Sequence, residues 1–417
     1  MLSLYLHIPF CASKCSYCDF NAYAGMSDLI APYARALAKE VRMVGEAGGP
    51  EGAGERGEVH TLFFGGGTPS LTPLDSMADI FSAIRESFAL TDDCEVTLEA
   101  NPGTVDLAYL EGLHALGVNR LSFGVQSAQA NELSLFNRIH TFDEACETVR
   151  LARQAGFDRQ SYGVNLDLIY GIPGQTPERW KDTLARALAL EPEHLSLYSL
   201  SLEFGTPMRA WVQRGLLPAP DNNVAADMYE WADAELARAG FEQYEISNWA
   251  RTKDEGGRMK DEIQCTILPP SSFRLPAFAC RHNLQYWRNE PYLGFGAGAH
   301  GCISGFRYSN VLSPAAYIQR IESGEARPFP LSPALAEATP VDVKTAMDET
   351  MMLGFRLTRE GIPADAFRAR YGVGLDEVYA RELRDLTGRQ LIEVGADRAR
   401  LRPGARLVAN RVFEKFV

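Results

Sequence analysis

The sequence is short of the features that mark membrane-spanning, nucleic-acid-binding and disulfide-rich proteins. No apolar run approaches the roughly 20 residues that a membrane-spanning helix requires. The net charge of -13 provides no basic surface for nucleic acid, although it leaves room for peripheral contact with a membrane. The chain has eight cysteines in 417 residues, too few for a disulfide scaffold, and five of them are scattered: Cys94, Cys146, Cys265, Cys280 and Cys302.

The start of the chain indicates a reducing compartment. A strand is predicted over residues 2–8, and no charged and apolar leader precedes it to direct export. We therefore expect a cytoplasmic protein, in which thiols stay reduced. A chain of this length can bury a large core and is expected to divide into two or three domains.

Three cysteines follow that first strand, and their spacing predicts a metal or cluster site. Cys11, Cys15 and Cys18 form a CxxxCxxC pattern, which can direct three thiols at one point. Structural zinc almost always takes four protein ligands, so three thiols leave the shell incomplete. The residues alone leave three readings open. The thiols are free, or they bind zinc with His7 or a distant cysteine, or they hold a 4Fe-4S cube whose fourth iron stays open to a small chelating molecule.

Downstream of the cysteines, predicted strands and helices alternate. Six βα repeats run to about residue 200, and this alternation predicts a parallel, barrel-like sheet with a site on its C-terminal rim. Glycine and polar residues stand where the strands end, in the run 65–69 (Gly-Gly-Gly-Thr-Pro) and at Glu99, Gln126 and Asp167. Each polar residue alone could cap the next helix. Together they favour a polar, zwitterionic organic ligand on the rim that bears the cysteines.

The remaining chain predicts two further domains. Residues 1–220 would form the partial barrel, and residues 221–330 an extension of it with an insertion at 251–279. Residues 331–417 read as helices followed by a short hairpin, which predicts a smaller, mainly helical, winged-helix-like domain. This C-terminal segment shows no concentrated basic face, so docking of a partner is a better expectation for it than nucleic-acid binding.

Several motifs resemble those of radical S-adenosylmethionine proteins. Tyr5, His7 and Pro9-Phe10 lead into the cysteines, and Tyr17 precedes the third one, where the superfamily usually has an aromatic residue. The 65–69 turn resembles the methionine-binding motif of the superfamily. The opening Tyr-x-His-Ile-Pro-Phe-Cys and the runs 98–102 and 167–173 resemble more narrowly the oxygen-independent coproporphyrinogen III oxidase-like family. The expected fold is then α/β, a partial (βα)6 radical-SAM barrel.

The resemblance implies two cofactors and a set of residues for each. It implies that the three cysteines bind a 4Fe-4S cluster. The residues that it implies as S-adenosylmethionine contacts are Tyr5, Gly66, Gly67, Thr68 and Glu99. Three more residues match positions that border a cofactor site in the oxidase, namely Gln126, Arg138 and Asp167. A reduced cluster could donate an electron to the sulfonium of the cofactor, which implies an electron donor as a partner.

Within that family, the sequence is most similar to the HemW-type heme chaperone branch, which binds heme and transfers it to acceptor proteins. The oxidase has a fourth cysteine two positions after the third and an N-terminal extension. Here that position is Phe20, and Met1 immediately precedes the first strand. The alternatives are the oxidase reaction itself, oxidative decarboxylation of coproporphyrinogen III, or a heme carrier that does not cleave the cofactor. Whether the protein is an enzyme is therefore left open.

The branch also carries a His-Asn-x-x-Tyr-Trp motif, present here as His282, Asn283, Tyr286 and Trp287. An imidazole is a good axial ligand for iron, and flat aromatic side chains suit a macrocycle. The other interpretation is a histidine packed beside two core aromatic residues. The resemblance makes these four residues the candidates for binding heme as cargo.

Overall fold

The computed structural model describes residues 1–48, 57–252 and 274–417. Of the insertion predicted at 251–279, residues 253–273 lie outside the described residues. Among the helices in the described ranges, none is both long and apolar enough to cross a membrane.

The strands in chain order are β1 (Leu2–Ile8), β2 (Phe10–Cys11), β3 (Tyr23–Ala24), β4 (Glu58–Gly66), β5 (Ala89–Ala100), β6 (Arg120–Gln126), β7 (Gly163–Tyr170), β8 (His194–Ser199), β9 (Phe241–Glu245), β10 (Asn248–Arg251), β11 (Tyr292–Phe295), β12 (His300–Ile303), β13 (Phe306–Asn310), β14 (Leu335–Pro340), β15 (Ile362–Pro363), β16 (Ile392–Val394) and β17 (Arg398–Leu401).

The α-helices in chain order are α1 (Ile30–Glu46), α2 (Leu74–Ser87), α3 (Leu107–Ala115), α4 (Ala130–Leu135), α5 (Phe142–Gln154), α6 (Pro177–Leu188), α7 (Pro207–Gln213), α8 (Asn222–Arg238), α9 (Arg281–Trp287), α10 (Pro314–Ser323), α11 (Val343–Gly354), α12 (Ala364–Tyr371), α13 (Leu375–Val378), α14 (Ala380–Gly388) and α15 (Asn410–Phe413).

Contacts between the described residues divide them into two units. The sheet unit comprises Met1–Glu193, Leu197–Met228 and Pro291–Pro340, and the C-terminal unit comprises His194–Ser196, Tyr229–Glu290 and Val341–Val417. The division into domains at 1–220, 221–330 and 331–417 concerns separately folding segments and stays a prediction.

The sheet unit is built on parallel strands in the order β11-β1-β4-β5-β6-β7, with β8 next to β7. Beyond β11, the strands β12, β13 and β14 continue the sheet with antiparallel pairing. Three of the helices between the parallel strands, α3, α5 and α6, begin with side-chain caps. Thr141, for example, accepts the amide of Glu144 and forms a capping box that starts α5.

Side chains alternate along the parallel strands. One series is apolar and fully buried, with Leu4, Leu62, Leu98, Leu121 and Leu166 as examples. The other series carries the polar side chains, because successive residues of a strand point to opposite faces. Ser3 contacts Thr61 at 2.6 Å across two strands, and further along the same face Ser122 donates to Asp167. This alternation gives the sheet a polar face that ends at the rim.

The strands of the C-terminal unit form two small groups. The hairpin β9–β10 pairs antiparallel with His194–Ser196, and β15-β17-β16 form a three-stranded antiparallel sheet. A separate core packs helices on that three-stranded sheet through Met351, Phe355, Leu386, Ile392 and Val412. The helices and short hairpin predicted within residues 331–417 are observed as α11 to α14 and the antiparallel pair β16–β17.

Candidate functional site

The three cysteines lie in the loop that follows β1, with Cys11 at the end of β2. All three are partly exposed. Burial is the main cause that raises the pKa of the Cys18 thiol to about 11, and the charges of Cys15 and Cys11 contribute to this rise. Burial also raises the pKa of Cys11, and Cys15 adds to the effect. The thiols therefore lie close enough for the charge of one to change the pKa of another. Among the residues that the structure describes, no three His, Cys, Asp or Glu side chains form a group that could hold a metal ion.

The cysteine loop is fixed by the turn that follows α4. The side chain of Asn137, whose φ is 57°, donates to Ser13 Oγ at 2.9 Å and to the Lys14 carbonyl at 3.0 Å. Ser16 donates its amide to the Phe136 carbonyl at 3.1 Å and its hydroxyl to the carbonyl of Leu135 at 2.7 Å. The positions of the cysteines are thus set by a segment more than a hundred residues away in the sequence.

Tyr5 and His7 point to the same side of β1 as the polar series of the sheet. His7 Nε2 lies 2.9 Å from the Asn21 carbonyl, which only accepts, so Nε2 carries the hydrogen. The other ring nitrogen, Nδ1, then accepts from the Tyr5 hydroxyl at 3.0 Å. Burial lowers the pKa of His7, which keeps the ring neutral in this arrangement. Tyr5 is thereby held in one orientation at the rim.

The glycines at the end of β4 allow this strand to lie against β1 and the cysteine loop. A Cβ on Gly66, where φ is +110°, would come within 2.5 Å of the His7 ring, and a Cβ on Gly67 within 2.6 Å of the Phe10 carbonyl oxygen. The amide of Gly67 donates to Ile8, and that of Thr68 donates to Phe10. A side chain at Gly66 would therefore displace the His7 ring on β1, and one at Gly67 would displace the backbone at the start of the loop.

Glu99 lies at the end of β5, and its carboxylate accepts the Gly66 amide at 3.1 Å. Burial of the carboxyl raises the pKa of Glu99 to about 8, and the negative charge of Asp167 contributes to the rise. A carboxyl group with this pKa is poised to ionise when a cation binds beside it. Asp167 itself accepts from Ser122 at 3.1 Å and from Asn165 at 2.8 Å.

Gln126 has an unusual backbone and an unsatisfied side chain. Its φ is 67°, and the residue is only 8% exposed. Its Oε1 is buried without a hydrogen-bond partner. A buried acceptor without a partner costs about 1–3 kcal/mol, so this group is suited to receive a donor from a ligand.

Two of the cysteine sulfurs accept hydrogen bonds from side chains. Arg138 donates to Cys15 Sγ at 3.4 Å, and the Thr68 hydroxyl donates to Cys11 Sγ at 3.6 Å. Asn101 joins the two donors, since its amide group contacts both Thr68 and Arg138. Asn101 is absent from the residues implied by the sequence, although it directly follows the Glu99-Ala100 pair of the motif at 98–102.

The candidate heme residues lie in the C-terminal unit on α9. His282 is 1% exposed, and its Nε2 lies 3.0 Å from the hydroxyl of Tyr286. Asn283 donates to the hydroxyl of Tyr244 at 3.4 Å. Trp287 packs under Arg356, whose guanidinium carbon lies 4.2 Å from the ring centre. The four residues therefore share one short helix, with His282 and Tyr286 one turn apart on the same face.

Comparison with known proteins identifies two segments of the chain. Residues 5–187 match the Radical SAM superfamily, and residues 341–408 match the HemN C-terminal domain. Heme chaperone HemW of Bacillus subtilis is 34% identical over 420 aligned residues, which cover 100% of this chain and 99% of the relative. Heme chaperone HemW of Lactococcus lactis is 32% identical over 100% of this chain and 97% of the relative.

A solved structure is also similar over the whole chain. Coproporphyrinogen III oxidase (HemN) from Escherichia coli, a radical SAM enzyme, matches with a TM-score of 0.78 and 25% identity, covering 100% of this chain and 89% of the oxidase. The predicted α/β partial-barrel fold is thereby confirmed. The parallel sheet with cysteines at its carboxyl rim defines a radical S-adenosylmethionine protein. Within that class, the chain belongs to the HemW family of heme chaperones, which confirms the resemblance found in the sequence.

Membership of the radical SAM class implies a 4Fe-4S cluster and S-adenosylmethionine, and the rim fits both. A 4Fe-4S cluster would take one thiolate on each of three irons, so the three soft thiols need not converge on a single ion. Two of their sulfurs already accept hydrogen bonds from side chains. The unpartnered Oε1 of Gln126 and the protonatable carboxyl of Glu99 provide groups for a polar, cationic ligand next to them. The residues present are therefore compatible with the implied groups.

Proposed function

We propose that this protein is a heme chaperone that binds heme and transfers it to acceptor proteins. The observation that supports this most strongly is the similarity to HemW heme chaperones over the entire chain, at 34% identity to the Bacillus subtilis protein. Acceptor proteins and an electron donor are its proposed partners, and peripheral membrane contact stays a prediction.

In this proposal, Cys11, Cys15 and Cys18 hold the cluster. When bound, the cluster and S-adenosylmethionine together supply one-electron reduction of the sulfonium. The chain contributes the geometry around them. Tyr5 is oriented by His7, and the end of β4 is held against the loop through Gly66 and Gly67. Tyr5, the glycines and Thr68 would thus border the bound cofactor at fixed positions.

Glu99, Gln126, Arg138 and Asp167 complete the proposed cofactor site. The raised pKa of Glu99 suits a carboxyl group that stays neutral until a cationic ligand arrives. Asp167 adds negative charge behind it and is oriented by Ser122. Gln126 offers an unpartnered acceptor. Arg138 supplies positive charge between this site and the cysteines.

Heme is proposed to bind at α9, with His282 as an axial ligand. Nε2 of this residue contacts Tyr286 in the structure, so iron ligation through Nε2 replaces that hydrogen bond. Trp287 and Tyr286 offer aromatic faces to the macrocycle, and Asn283 anchors the helix through Tyr244. Ligation therefore requires α9 to open locally.

The second candidate function is anaerobic oxidative decarboxylation of coproporphyrinogen III, favoured by the likeness to the Escherichia coli oxidase. Phe20 stands two positions after Cys18, where the oxidase has its fourth cysteine. The side chain of Phe20 is 65% exposed. An exposed apolar residue here supplies no thiol. A heme carrier that never cleaves S-adenosylmethionine is the third candidate.

One anaerobic experiment distinguishes these functions. Cluster-loaded protein is incubated with reductant, S-adenosylmethionine, coproporphyrinogen III and heme, and then with a heme-free globin. Chromatography detects decarboxylated porphyrinogen and cleaved cofactor, while visible spectra follow heme uptake and transfer. A variant with all three loop cysteines changed to serine is the matched control. We expect heme uptake and transfer without decarboxylation. Decarboxylated product would contradict the chaperone function, and heme uptake with no cleavage of S-adenosylmethionine would indicate the carrier.

A further inference from the structure

A chain of side-chain hydrogen bonds runs from one cysteine to another through Asn101. Arg138 donates to Oδ1 of Asn101 at 2.6 Å and to Cys15 Sγ at 3.4 Å. On the other side, Nδ2 of Asn101 donates to the Thr68 hydroxyl at 2.8 Å, and that hydroxyl lies 3.6 Å from Cys11 Sγ. The order of the chain is therefore Cys15, Arg138, Asn101, Thr68, Cys11.

The direction of every hydrogen bond in this chain is fixed by its chemistry. An arginine side chain only donates, so the atom of Asn101 that faces Arg138 is the oxygen. The amide nitrogen must then face Thr68, and the Thr68 oxygen accepts. A hydroxyl that accepts at its oxygen still has one hydrogen to donate, and this hydrogen points to the Cys11 sulfur. Because Asn101 donates to the Thr68 oxygen, it orients the hydroxyl so that the Thr68 hydrogen is directed at Cys11.

The Arg138 end of the chain is held equally firmly. Arg138 also donates to the Gly124 carbonyl, and its own amide donates to Leu133 at 3.0 Å. The preceding residue, Asn137, is bonded to Ser13 and Lys14 within the cysteine loop. Hydrogen bonds of two adjacent residues therefore attach the guanidinium and the loop that carries Cys15 to the same turn.

We propose that Asn101 is a positioning residue that holds the Thr68 hydroxyl on Cys11 and the Arg138 guanidinium on Cys15, and thereby sets the reduction potential of the cluster. Hydrogen bonds to the ligating sulfurs are among the main determinants of the potential of an iron-sulfur cluster. Each donor stabilises the reduced form more than the oxidised form, because reduction adds negative charge to the sulfurs. Asn101 touches no sulfur itself and acts through its two neighbours.

This inference rests on the proposed cluster site but not on heme binding. It is tested on the full chain, reconstituted anaerobically, with iron and sulfide measured before each titration. The midpoint potential is determined without S-adenosylmethionine, by redox titration followed in the electron paramagnetic resonance and visible spectra. Leaving the cofactor out separates an effect on sulfur from an effect on cofactor binding at Thr68.

We expect Asn101→Ala to shift the midpoint potential to a more negative value. Thr68→Val, which removes the hydroxyl, is expected to shift it in the same direction by less, and Thr68→Ser to keep the wild-type value. Adding Thr68→Val to Asn101→Ala should produce little further shift, because the hydroxyl is no longer directed at Cys11. Thr104→Val is the control, since Thr104 bonds the Asn101 carbonyl at 2.6 Å in the same turn without a direct bond to a sulfur.

A loaded Asn101→Ala variant with the wild-type potential would overturn the role of Asn101 and leave the proposed function intact. If Asn101→Ala takes up no cluster, the Thr68 pair decides, and equal potentials for Thr68→Val and Thr68→Ser would overturn the proposal. A shift in Thr104→Val as large as that in Asn101→Ala would also overturn it, because the effect would then come from the turn. Wild-type protein that binds no iron and sulfide would remove the cluster site and this inference together.

Discussion

The hydroxyl of Tyr286 lies 3.0 Å from Nε2 of His282, and the two rings meet edge to face with their centres 4.9 Å apart. The pair occupies one face of α9, one helical turn apart. Because the imidazole is buried and already bonded, Tyr286 would compete with iron for the same nitrogen if heme binds here as proposed. The proposed heme ligand and its competitor can therefore be separated by substitution.

The first prediction concerns heme affinity. His282→Ala should weaken heme binding at least tenfold and shift the Soret band, because the axial ligand is lost. Tyr286→Phe removes only the competing hydroxyl and should strengthen binding by about fivefold, the value of one net hydrogen bond of about 1 kcal/mol. Spectroscopic titration with heme measures both. An unchanged affinity and spectrum in His282→Ala would refute ligation by this residue, and a loss in Tyr286→Phe as large as in His282→Ala would point to Tyr286 as the ligand.

The second prediction concerns proton release by Glu99. With a pKa of about 8 in the free protein, this carboxyl group is protonated near pH 6.5. A cationic ligand beside it lowers the pKa and expels the proton. Binding of S-adenosylmethionine at pH 6.5 should therefore release about one more proton from the wild type than from Glu99→Gln. Protons that the ligand itself gains or loses are the same in both measurements and cancel in the difference. Calorimetry in buffers of different ionisation enthalpy counts the protons. Equal counts would show that Glu99 does not face the cation.

The same carboxyl group predicts a pH-dependent stability. An unfolded glutamate ionises near its ordinary pKa of 4.5, whereas burial raises the pKa of Glu99 in the folded protein to about 8. Between these values the folded state binds more protons, so its stability falls as the pH rises from about 4.5 to 8 and the loss is complete above pH 8. In ligand-free protein, Glu99→Gln removes this penalty. Its melting temperature should exceed that of the wild type increasingly from pH 5 to pH 8, and a constant difference would contradict the prediction.

Much of the sheet unit follows from the sequence because its signals are local. The ends of β4, β5 and β6 are marked by glycine or polar residues, and the strands and helices appear where periodicity predicts them. The three cysteines and Glu99 also stand next to these signals. Membership of the family then supplied the identity of the ligands, which periodicity alone could not.

The role of Asn101 could not be derived from the sequence, because it depends on contacts between distant segments. Asn101 follows β5, Thr68 follows β4, and Arg138 belongs to the turn after α4. The amide of an asparagine at a strand end is equally suited to a turn or a helix cap. The short helices α4 and α7 were likewise not predicted, since six or seven residues carry too little periodicity. The attachment of the cysteine loop to Asn137 was missed with them.

The last prediction tests how α9 is held in the C-terminal unit. Arg288, directly after this helix, forms two hydrogen bonds with the buried carboxylate of Glu360, at 2.9 and 2.8 Å. Breaking a buried pair leaves a charge without a partner, so Glu360→Gln should lower the free energy of unfolding by up to about 3 kcal/mol. Urea denaturation followed by far-ultraviolet circular dichroism measures the change.

The matched control is the exposed pair of Arg368 and Glu377, 2.9 Å apart, with side chains 56% and 53% exposed. Because water screens this pair, Glu377→Gln should change the stability by no more than about 1 kcal/mol. If Arg288 positions α9 for heme, Glu360→Gln should also weaken heme binding under conditions where the variant is fully folded, whereas Glu377→Gln should not. Equal losses of stability in the two variants would contradict the buried pair, and unchanged heme affinity in Glu360→Gln would show that heme does not depend on the position of this helix.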